Sequence, residues 1–229
     1  MQNQKKTEWN ESYKNGGDHL FYPHEEIIRF MNKYVRKKVG VDEYVDIMEA
    51  PEGNYKNIKG LDIGCGIGRH VKFMDEFGLD AYGFDLSEVA IEQGRDWFKK
   101  VGRQELANNL LAASITNLPY DDNAFDIAVS HSVFDSMSMD IAFEGMKEVF
   151  RVLKNGAYMY FDLLMKEKGE KVMMTNPGQK DTVRTFFDER ELDTLLNGQA
   201  EIIERKIVIW EEPSGEVIIK RNHFIIKKK

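Results

Sequence analysis

The chain has 229 residues, of which 42% are hydrophobic and 31% are charged, and its formal net charge is −7. The length allows a single domain with a substantial core, and the acidic balance argues against a protein that holds nucleic acid through bulk positive charge. With one cysteine, no signal-peptide core and no run of 18 apolar residues, the protein is expected in the reducing cytoplasm without a membrane anchor.

The N-terminal region combines a polar arm with a helix. Residues 1–24 are polar but carry aromatic rings that need a surface to pack against, namely Trp9, Tyr13, Phe21 and Tyr22. These rings either cap the domain or fold over a bound ligand and shape its pocket. Glu25–Lys38 has helical periodicity with one apolar face and one basic face. The stretch 41–59 remains ambiguous.

From residue 58 onward, apolar strands alternate with amphipathic helices. A helix follows the first strand, Ser87 is placed to cap the next helix, and a third helix over 139–153 precedes a turn at Asn155-Gly156. The alternation predicts an α/β fold in which helices cover both faces of a parallel sheet. The predicted strands are 58–63, Asp80–Asp85, Asn109–Ala113, Phe125–Ser130 and Ala157–Leu164.

The C-terminal part contains a polar excursion, a helix and a hairpin. Met165–Thr182 is polar and interrupted by glycine and proline, and Asp188 with Glu191 forms a capping-box pattern for a short helix. Strands are predicted at Glu201–Trp210 and Glu216–Ile226. Only five residues link them, so they must be antiparallel neighbours.

A glycine-rich turn follows the first predicted strand. Gly64, Gly66 and Gly68 stand at every second position, and Asp85 ends the next strand about twenty residues later. A turn of this kind is either a structural strand-to-helix connection or a nucleotide cradle. In the cradle, the helix N-terminus offers free N–H groups and the carboxylate accepts ribose hydroxyls. A dinucleotide fingerprint would need glycine at position 69, where the chain has Arg69.

Leu-Asp-Ile-Gly-Cys-Gly-Ile-Gly at 61–68, followed by Gly-Phe-Asp-Leu-Ser at 83–87, resembles the class I S-adenosylmethionine-dependent methyltransferases. The resemblance runs from about Leu61 to Leu164. It implies a Rossmann-like, doubly wound, seven-stranded mixed sheet whose last strand is inserted antiparallel. It also implies S-adenosylmethionine as cofactor and S-adenosylhomocysteine as product. Residues 58–229 would then be the catalytic domain and 1–57 the cap over its site, in one compact unit.

The same resemblance assigns roles to individual residues. The backbone at Gly64 and Gly66 would lie along the methionine part, with Asp62 anchoring the turn or the amino group. Asp85 would accept the ribose hydroxyls, and Leu86 would pack on adenine. Ser114 stands where many relatives have an aspartate, so a contact is retained without its charge. The full set expected to bind the cofactor is Tyr13, Asp62, Gly64, Cys65, Gly66, Asp85, Leu86, Ser114, Ile115 and Ser130, and no metal ligand is expected.

His131 is the candidate catalytic residue, because it follows the fourth strand and could act as a base near neutral pH. Methyl transfer needs a base only when the acceptor still carries its proton at the moment of attack. The alternative is that His131 satisfies backbone groups at the strand end.

The expected function is methyl transfer to a small-molecule acceptor, at an oxygen or a nitrogen. Two alternatives use the same cofactor: an RNA methyltransferase that uses the basic helix, and a non-catalytic module that senses S-adenosylmethionine. A nicotinamide dehydrogenase is the remaining enzyme alternative. Neither a membrane nor nucleic acid is an expected partner, and the oligomeric state stays open.

Overall fold

The computed structural model describes residues 2–166, 184–211, 213 and 217–229. Most of the excursion predicted at Met165–Thr182, from residue 167 onward, lies outside the described residues. Most of the link between the last two strands lies outside them as well. Among the described residues, no helix is both long and apolar enough to cross a lipid bilayer.

The described residues form helices and strands that alternate through the middle of the chain. The helices are α1 (Gln2–Lys14), α2 (Glu25–Tyr34), α3 (Arg69–Glu76), α4 (Glu88–Lys100), α5 (Gln104–Asn108), α6 (Met139–Val152) and α7 (Glu189–Leu196). The strands are β1 (Arg36–Lys38), β2 (Tyr44–Asp46), β3 (Lys59–Ile63), β4 (Asp80–Asp85), β5 (Leu110–Ala112), β6 (Phe125–Ser130), β7 (Leu153–Met165), β8 (Phe186–Phe187), β9 (Ala200–Glu211) and β10 (Val217–Lys228).

The main sheet has the strand order β5-β4-β3-β6-β7-β10-β9. The first five of these strands are parallel, and β10 is antiparallel to both β7 and β9. This arrangement confirms the Rossmann-like mixed sheet with its last strand inserted antiparallel. An eighth strand, β8, has two residues and pairs in parallel with the far end of β7.

Apolar side chains cover both faces of the sheet, as the alternation predicts. On one face, α6 and α7 pack against β3, β6 and β7. On the other face, α2, α3 and α4 pack against β4 and the opposite side chains of β6. Two of the predicted helix caps are present. The Ser87 side chain accepts from Ala90 N–H, and Asp188 with Glu191 forms the capping box of α7.

Three local predictions need correction. The helix predicted over Glu25–Lys38 ends at Tyr34, and Arg36–Lys38 becomes a strand of the β1–β2 hairpin. The Arg36 guanidinium pairs with an aspartate at 2.9 Å and lies over two tyrosine rings, and these tertiary contacts outweigh its helical propensity. The polar arm contains a helix, α1, although its sequence has little apolar periodicity.

The third correction concerns the turn predicted at Asn155-Gly156, because β7 already begins at Leu153 and runs through both residues. Gly156 has φ +82°, which glycine adopts without strain. The pairing with β6 skips there, from Phe125 opposite Leu153 to Ile127 opposite Tyr158. The dipeptide therefore forms an irregularity inside a strand.

Gly94 packs α4 against the glycine turn, so a side chain there should destabilise the fold. A Cβ atom at Gly94 would lie 2.6 Å from the Ile67 carbonyl oxygen, which is backbone and cannot rotate away. Alanine normally stabilises an exposed helix position relative to glycine. Here we expect Gly94→Ala to lower the free energy of unfolding by about 1–3 kcal/mol because of overpacking. Urea denaturation measures the change, and Glu92→Ala, on the exposed side of the same helix, is the control. An unfolding midpoint equal to or above wild type would contradict this packing.

Candidate active site

A cavity of about 730 Å³ opens at the carboxyl ends of the parallel strands. Its walls come from α1, the glycine turn after β3, the end of β4, the loops after β5 and β6, and Arg184. Its size lies within the usual range for small-molecule sites. Nine of the eleven predicted site residues line it: Tyr13, Gly64, Cys65, Gly66, Asp85, Leu86, Ser114, Ile115 and His131.

The glycine turn takes a backbone path that other residues adopt only with strain. Gly64, Gly66 and Gly68 have φ values of +64°, +54° and +89°. A Cβ atom at Gly64 would lie 2.6 Å from Val133, and one at Gly66 would collide with the Tyr13 hydroxyl. The turn therefore combines left-handed backbone with close approach, so both requirements point to glycine.

Asp85 fixes the end of β4 to this turn. One carboxylate oxygen accepts from Gly66 N–H at 2.9 Å, and the other accepts from Ser87 N–H at 2.8 Å. Burial raises the pKa of Asp85 to about 6, and the two N–H groups offset only part of that effect. The carboxylate lines the cavity and keeps acceptor capacity for further donors such as hydroxyl groups.

Two predicted residues, Asp62 and Ser130, lie behind the cavity wall. Asp62 is buried, and its carboxylate lies 3.4 Å from His70 Nδ1. Burial lowers the pKa of His70, which itself lines the cavity. Ser130 is buried at the end of β6. The structure thus places both residues where they support the wall, one layer from its surface.

The remaining predicted residues on the cavity wall differ in whether their polar groups are already hydrogen-bonded within the protein. The Ser114 hydroxyl lies 2.9 Å from the Thr116 hydroxyl and accepts from Thr116 N–H, so it is bonded within its own loop. Burial raises the pKa of the Cys65 thiol, which agrees with a small turn residue in place of a nucleophile. Leu86 and Ile115 supply apolar surface.

Helix α1 covers the turn and Asp85. The Tyr13 ring is buried, and its hydroxyl lies against Gly66. Ser87 Oγ donates to the Asn10 side chain at 2.7 Å, and Gln93 donates to the Tyr13 carbonyl at 3.3 Å. These bonds connect α1 to the first turns of α4, directly beside the residues predicted to hold ribose.

His131 forms a close pair with a buried carboxylate that sequence reasoning missed. Its Nδ1 lies 2.5 Å from Asp162, which also accepts from Ser132 N–H at 2.7 Å and lies 3.2 Å from Arg221. Burial alone would raise the pKa of Asp162, but His131 and Arg221 hold it well below its usual value. Because Nδ1 faces Asp162, the nitrogen left for a ligand in the cavity is Nε2, which lies 3.5 Å from Ser132 Oγ.

A second ring holds His131 in place. The His24 ring, at the N-cap of α2, stacks on His131 with centroids 3.9 Å apart. Burial and the neighbouring His131 lower the pKa of His24 to about 3, so His24 is neutral at physiological pH. The structure therefore fixes both the position of the His131 ring and the nitrogen it presents.

The sequence contains one signal that could have identified Asp162. It stands inside the apolar run Tyr-Met-Tyr-Phe-Asp-Leu-Leu, and a carboxylate in a buried strand demands a partner. No comparable local signal marks His24 or Arg184, because distant parts of the chain bring them to the site. Within the described part of the chain, no cluster of three or more histidine, cysteine or acidic residues is arranged to hold a metal ion.

Comparison with known proteins gives a consistent family. A family profile described as a methyltransferase domain matches residues 61–161. A malonyl-[acyl-carrier protein] O-methyltransferase of Salmonella typhimurium is 31% identical over 142 residues, which are 60% of this chain and 52% of that protein. A sterol 4-C-methyltransferase of Caenorhabditis elegans is 25% identical over 198 residues, 84% of this chain and 52% of the relative. The chain thus spans about half the length of these two relatives.

A solved structure supports the same conclusion. An S-adenosylmethionine-dependent methyltransferase from Methanosarcina mazei aligns with a TM-score of 0.60 and 25% identity, over 74% of this chain and 92% of that one. These matches support the family and the enzyme class expected from the sequence, which are those of the class I S-adenosylmethionine-dependent methyltransferases. That family implies S-adenosylmethionine as cofactor.

Cofactor affinity should depend on pH through Asp85. Ribose hydroxyls are expected to donate to the charged carboxylate, and with a pKa of about 6 this group is largely protonated at pH 5 and ionised at pH 7. We expect the dissociation constant of S-adenosylhomocysteine to fall about tenfold between these pH values and then level off. Isothermal titration calorimetry measures it. In Asp85→Asn, which cannot ionise, binding should be at least about tenfold weaker at pH 7 and nearly flat with pH. If the variant keeps the pH dependence of the wild type, a group other than Asp85 is responsible for the titration.

Helix α1 should become protected when the cofactor binds. It lies over the glycine turn and Asp85, so a bound ligand would add to the surface that Tyr13 and Trp9 bury. We expect slower hydrogen exchange in residues 5–24 with S-adenosylhomocysteine than without it. Exchange in α7, on the other face of the sheet, is the internal control. Unchanged exchange in α1, together with normal cofactor affinity after deletion of residues 1–18, would remove Tyr13 from the site.

Proposed function

We propose that this protein transfers a methyl group from S-adenosylmethionine to a small-molecule acceptor whose reacting oxygen or nitrogen loses a proton. The observation that carries the proposal is the His131–Asp162 pair on the wall of the cavity that also holds Asp85 and the glycine turn. Cofactor residues and an oriented base thus face one space.

The residues of the cofactor half fit the expected group. Gly64 and Gly66 line the cavity with backbone alone, and the buried Asp85 carboxylate suits a pair of ribose hydroxyls. Leu86 and Ile115 offer apolar surface to a purine ring. When bound, the cofactor supplies a methyl group on a sulfonium, which is already an excellent leaving group.

The chain therefore has two tasks in the reaction, which are alignment and proton removal. Rigid walls hold the acceptor in line with the methyl group, and this positioning lowers the entropic part of the barrier. His131 takes the acceptor proton on Nε2, and the Asp162 carboxylate beside Nδ1 stabilises the imidazolium that results. The stacked, neutral His24 ring adds no competing charge there.

The enclosed site supports a small acceptor. Residues 1–57 act in this proposal as a cap, since α1 closes the cavity above the turn and His24 braces the base, while residues 58–229 form the methyltransferase domain. The two relatives, a sterol methyltransferase and a malonyl-[acyl-carrier protein] methyltransferase, are in keeping with an acceptor that is not a nucleic acid.

The RNA methyltransferase alternative finds less support. Arg29, Lys33 and Arg36, on the basic side of the region first predicted as one helix, each pair with a carboxylate. Those charges are therefore partly neutralised, and this weakens the case for a phosphate-binding face.

A metabolite screen tests the proposal directly. We expect S-adenosylhomocysteine to form from S-adenosylmethionine only when a fraction containing the acceptor is added, and we expect NAD not to compete for cofactor binding. Calorimetry and a coupled assay for S-adenosylhomocysteine provide the two measurements. Saturable NAD binding without sulfonium binding would contradict the function, whereas tight cofactor binding without turnover in any fraction would favour the sensing module.

Removal of the base should affect chemistry and spare binding. We expect His131→Ala to lower methyl transfer roughly 100- to 10,000-fold, the usual contribution of a positioned base, with little change in cofactor affinity. His19→Gln is the matched control, because His19 is an exposed histidine that does not line the cavity. Transfer of a labelled methyl group provides the rate. A folded His131→Ala protein with near-normal turnover would show that the acceptor reaches the site already deprotonated.

A further inference from the structure

Arg184 lines the active-site cavity with a guanidinium that is only partly paired. It lies beside the loop after β6, and its Nη1 donates to Ser136 Oγ at 2.8 Å. Among the residues that the structure describes, its Nε is buried without a hydrogen-bond partner. A guanidinium with donors left over can pair with a carboxylate through charge-assisted hydrogen bonds.

The nearest acid does not use that edge. Asp135 is fully buried and lies 3.7 Å from Arg184 Nη1, but it lies only 2.9 Å from Arg221. Arg221 is therefore its principal partner, and Arg184 adds a second cation to an acid that is already paired. The ionisable groups connected to Arg184 by these contacts are the carboxylates of Asp135 and Asp162 and the guanidinium group of Arg221, and Arg69 lines the same cavity. Burial raises the pKa of Asp135, and Arg221 and Arg184 offset part of that effect.

The charge balance of this wall favours an added anion during the reaction. At most, the two carboxylates balance the two guanidinium groups, because the raised pKa of Asp135 works against its negative charge. Burial lowers the pKa values of the neighbouring rings of His24 and His223. When His131 takes a proton, these groups together with Arg69 carry a positive surplus. An anion held by Arg184 would neutralise that surplus in a poorly hydrated place, where it counts most.

Arg184 is also connected to His131 through hydrogen bonds to the loop after β6. Ser136 Oγ receives the Arg184 hydrogen bond and donates in turn to the Ser132 carbonyl at 2.8 Å, next in sequence to His131. The guanidinium and the imidazole therefore belong to one rigid wall, and both line the cavity. A single small molecule could contact both.

We infer that the methyl acceptor is a carboxylic acid derivative whose carboxylate pairs with the Arg184 guanidinium while its reacting atom faces His131. This inference names the substrate class of the site above and rests on the proposed function. It assigns Arg184 to substrate binding and leaves the cofactor half of the cavity unaffected.

A binding experiment tests this without knowledge of the natural acceptor. The full chain is saturated with S-adenosylhomocysteine and titrated with malonate, or with malonamide as an uncharged analogue of similar shape, in a calorimeter. We expect malonate to bind at least about tenfold tighter than malonamide, since charge-assisted bonds to Arg184 would be lost in the amide.

Three variants localise the effect. Arg184→Gln should weaken malonate binding at least about tenfold without changing affinity for S-adenosylhomocysteine or malonamide. Arg184→Lys keeps the charge but loses the planar guanidinium, so its affinity for malonate should fall between those of the wild type and Arg184→Gln. Asp135 keeps Arg221 in both variants, so neither strips a buried acid of its main partner. Arg190→Gln, at an exposed arginine of α7, is the matched control and should behave as wild type.

The outcomes separate this inference from the proposed function. Failure of the wild type to bind S-adenosylhomocysteine would contradict the proposed function itself. If the wild type binds S-adenosylhomocysteine normally, three results would contradict only the carboxylate site. They are equal binding of malonate and malonamide, no binding of malonate, and an Arg184→Gln variant that binds malonate as tightly as wild type.

Discussion

The buried carboxylate of Asp162 is the constraint on which the acceptor half of the site depends. A charge in the middle of a sheet is costly unless it is paired and hydrogen-bonded. Here Arg221 on β10, the backbone after β6 and the His131 ring all turn toward it. The antiparallel insertion of β10 beside β7 supplies the arginine, because Asp162 lies opposite His223 in the register and Arg221 is two residues away on the same face. The strand order therefore determines which arginine neutralises the carboxylate of the site.

A second buried carboxylate, Asp85, organises the other half by different means. Its partners are two backbone N–H groups, so burial dominates and raises its pKa to about 6. Asp162 has a histidine and an arginine, and its pKa is lowered. Two carboxylates at the ends of parallel strands in one sheet are therefore suited to different tasks. Asp85 can accept neutral hydroxyl groups, and Asp162 can stabilise a cation that forms beside it.

The success of a prediction from sequence depends on how far apart in the sequence the interacting residues lie. The glycine turn, Asp85 and Ser87 were identified because a few neighbouring residues determine their geometry, and the resemblance to a known family added the strand order that periodicity could not provide. Asp162, His24 and Arg184 were missed because their roles arise from contacts across more than 20 residues of sequence. Tertiary contacts of shorter range explain β1, whose Arg36 leaves the predicted helix to pair with Asp46 and stack on Tyr55.

The two halves of the cavity are held with unequal strength, and this bears on how the site would work. The acceptor half rests on charges buried within the sheet. The cofactor half is closed by α1, whose links to α4 include an ion pair at the exposed Lys6 and Glu88, the Asn10–Ser87 bond and one bond to the Tyr13 carbonyl. Exposed pairs of this kind contribute little to stability. Opening of the helix would require release of the buried Tyr13 ring and a few hydrogen bonds, but it would break none of the buried ion pairs around His131. Such opening would admit the cofactor without disturbing the groups proposed to align and deprotonate the acceptor.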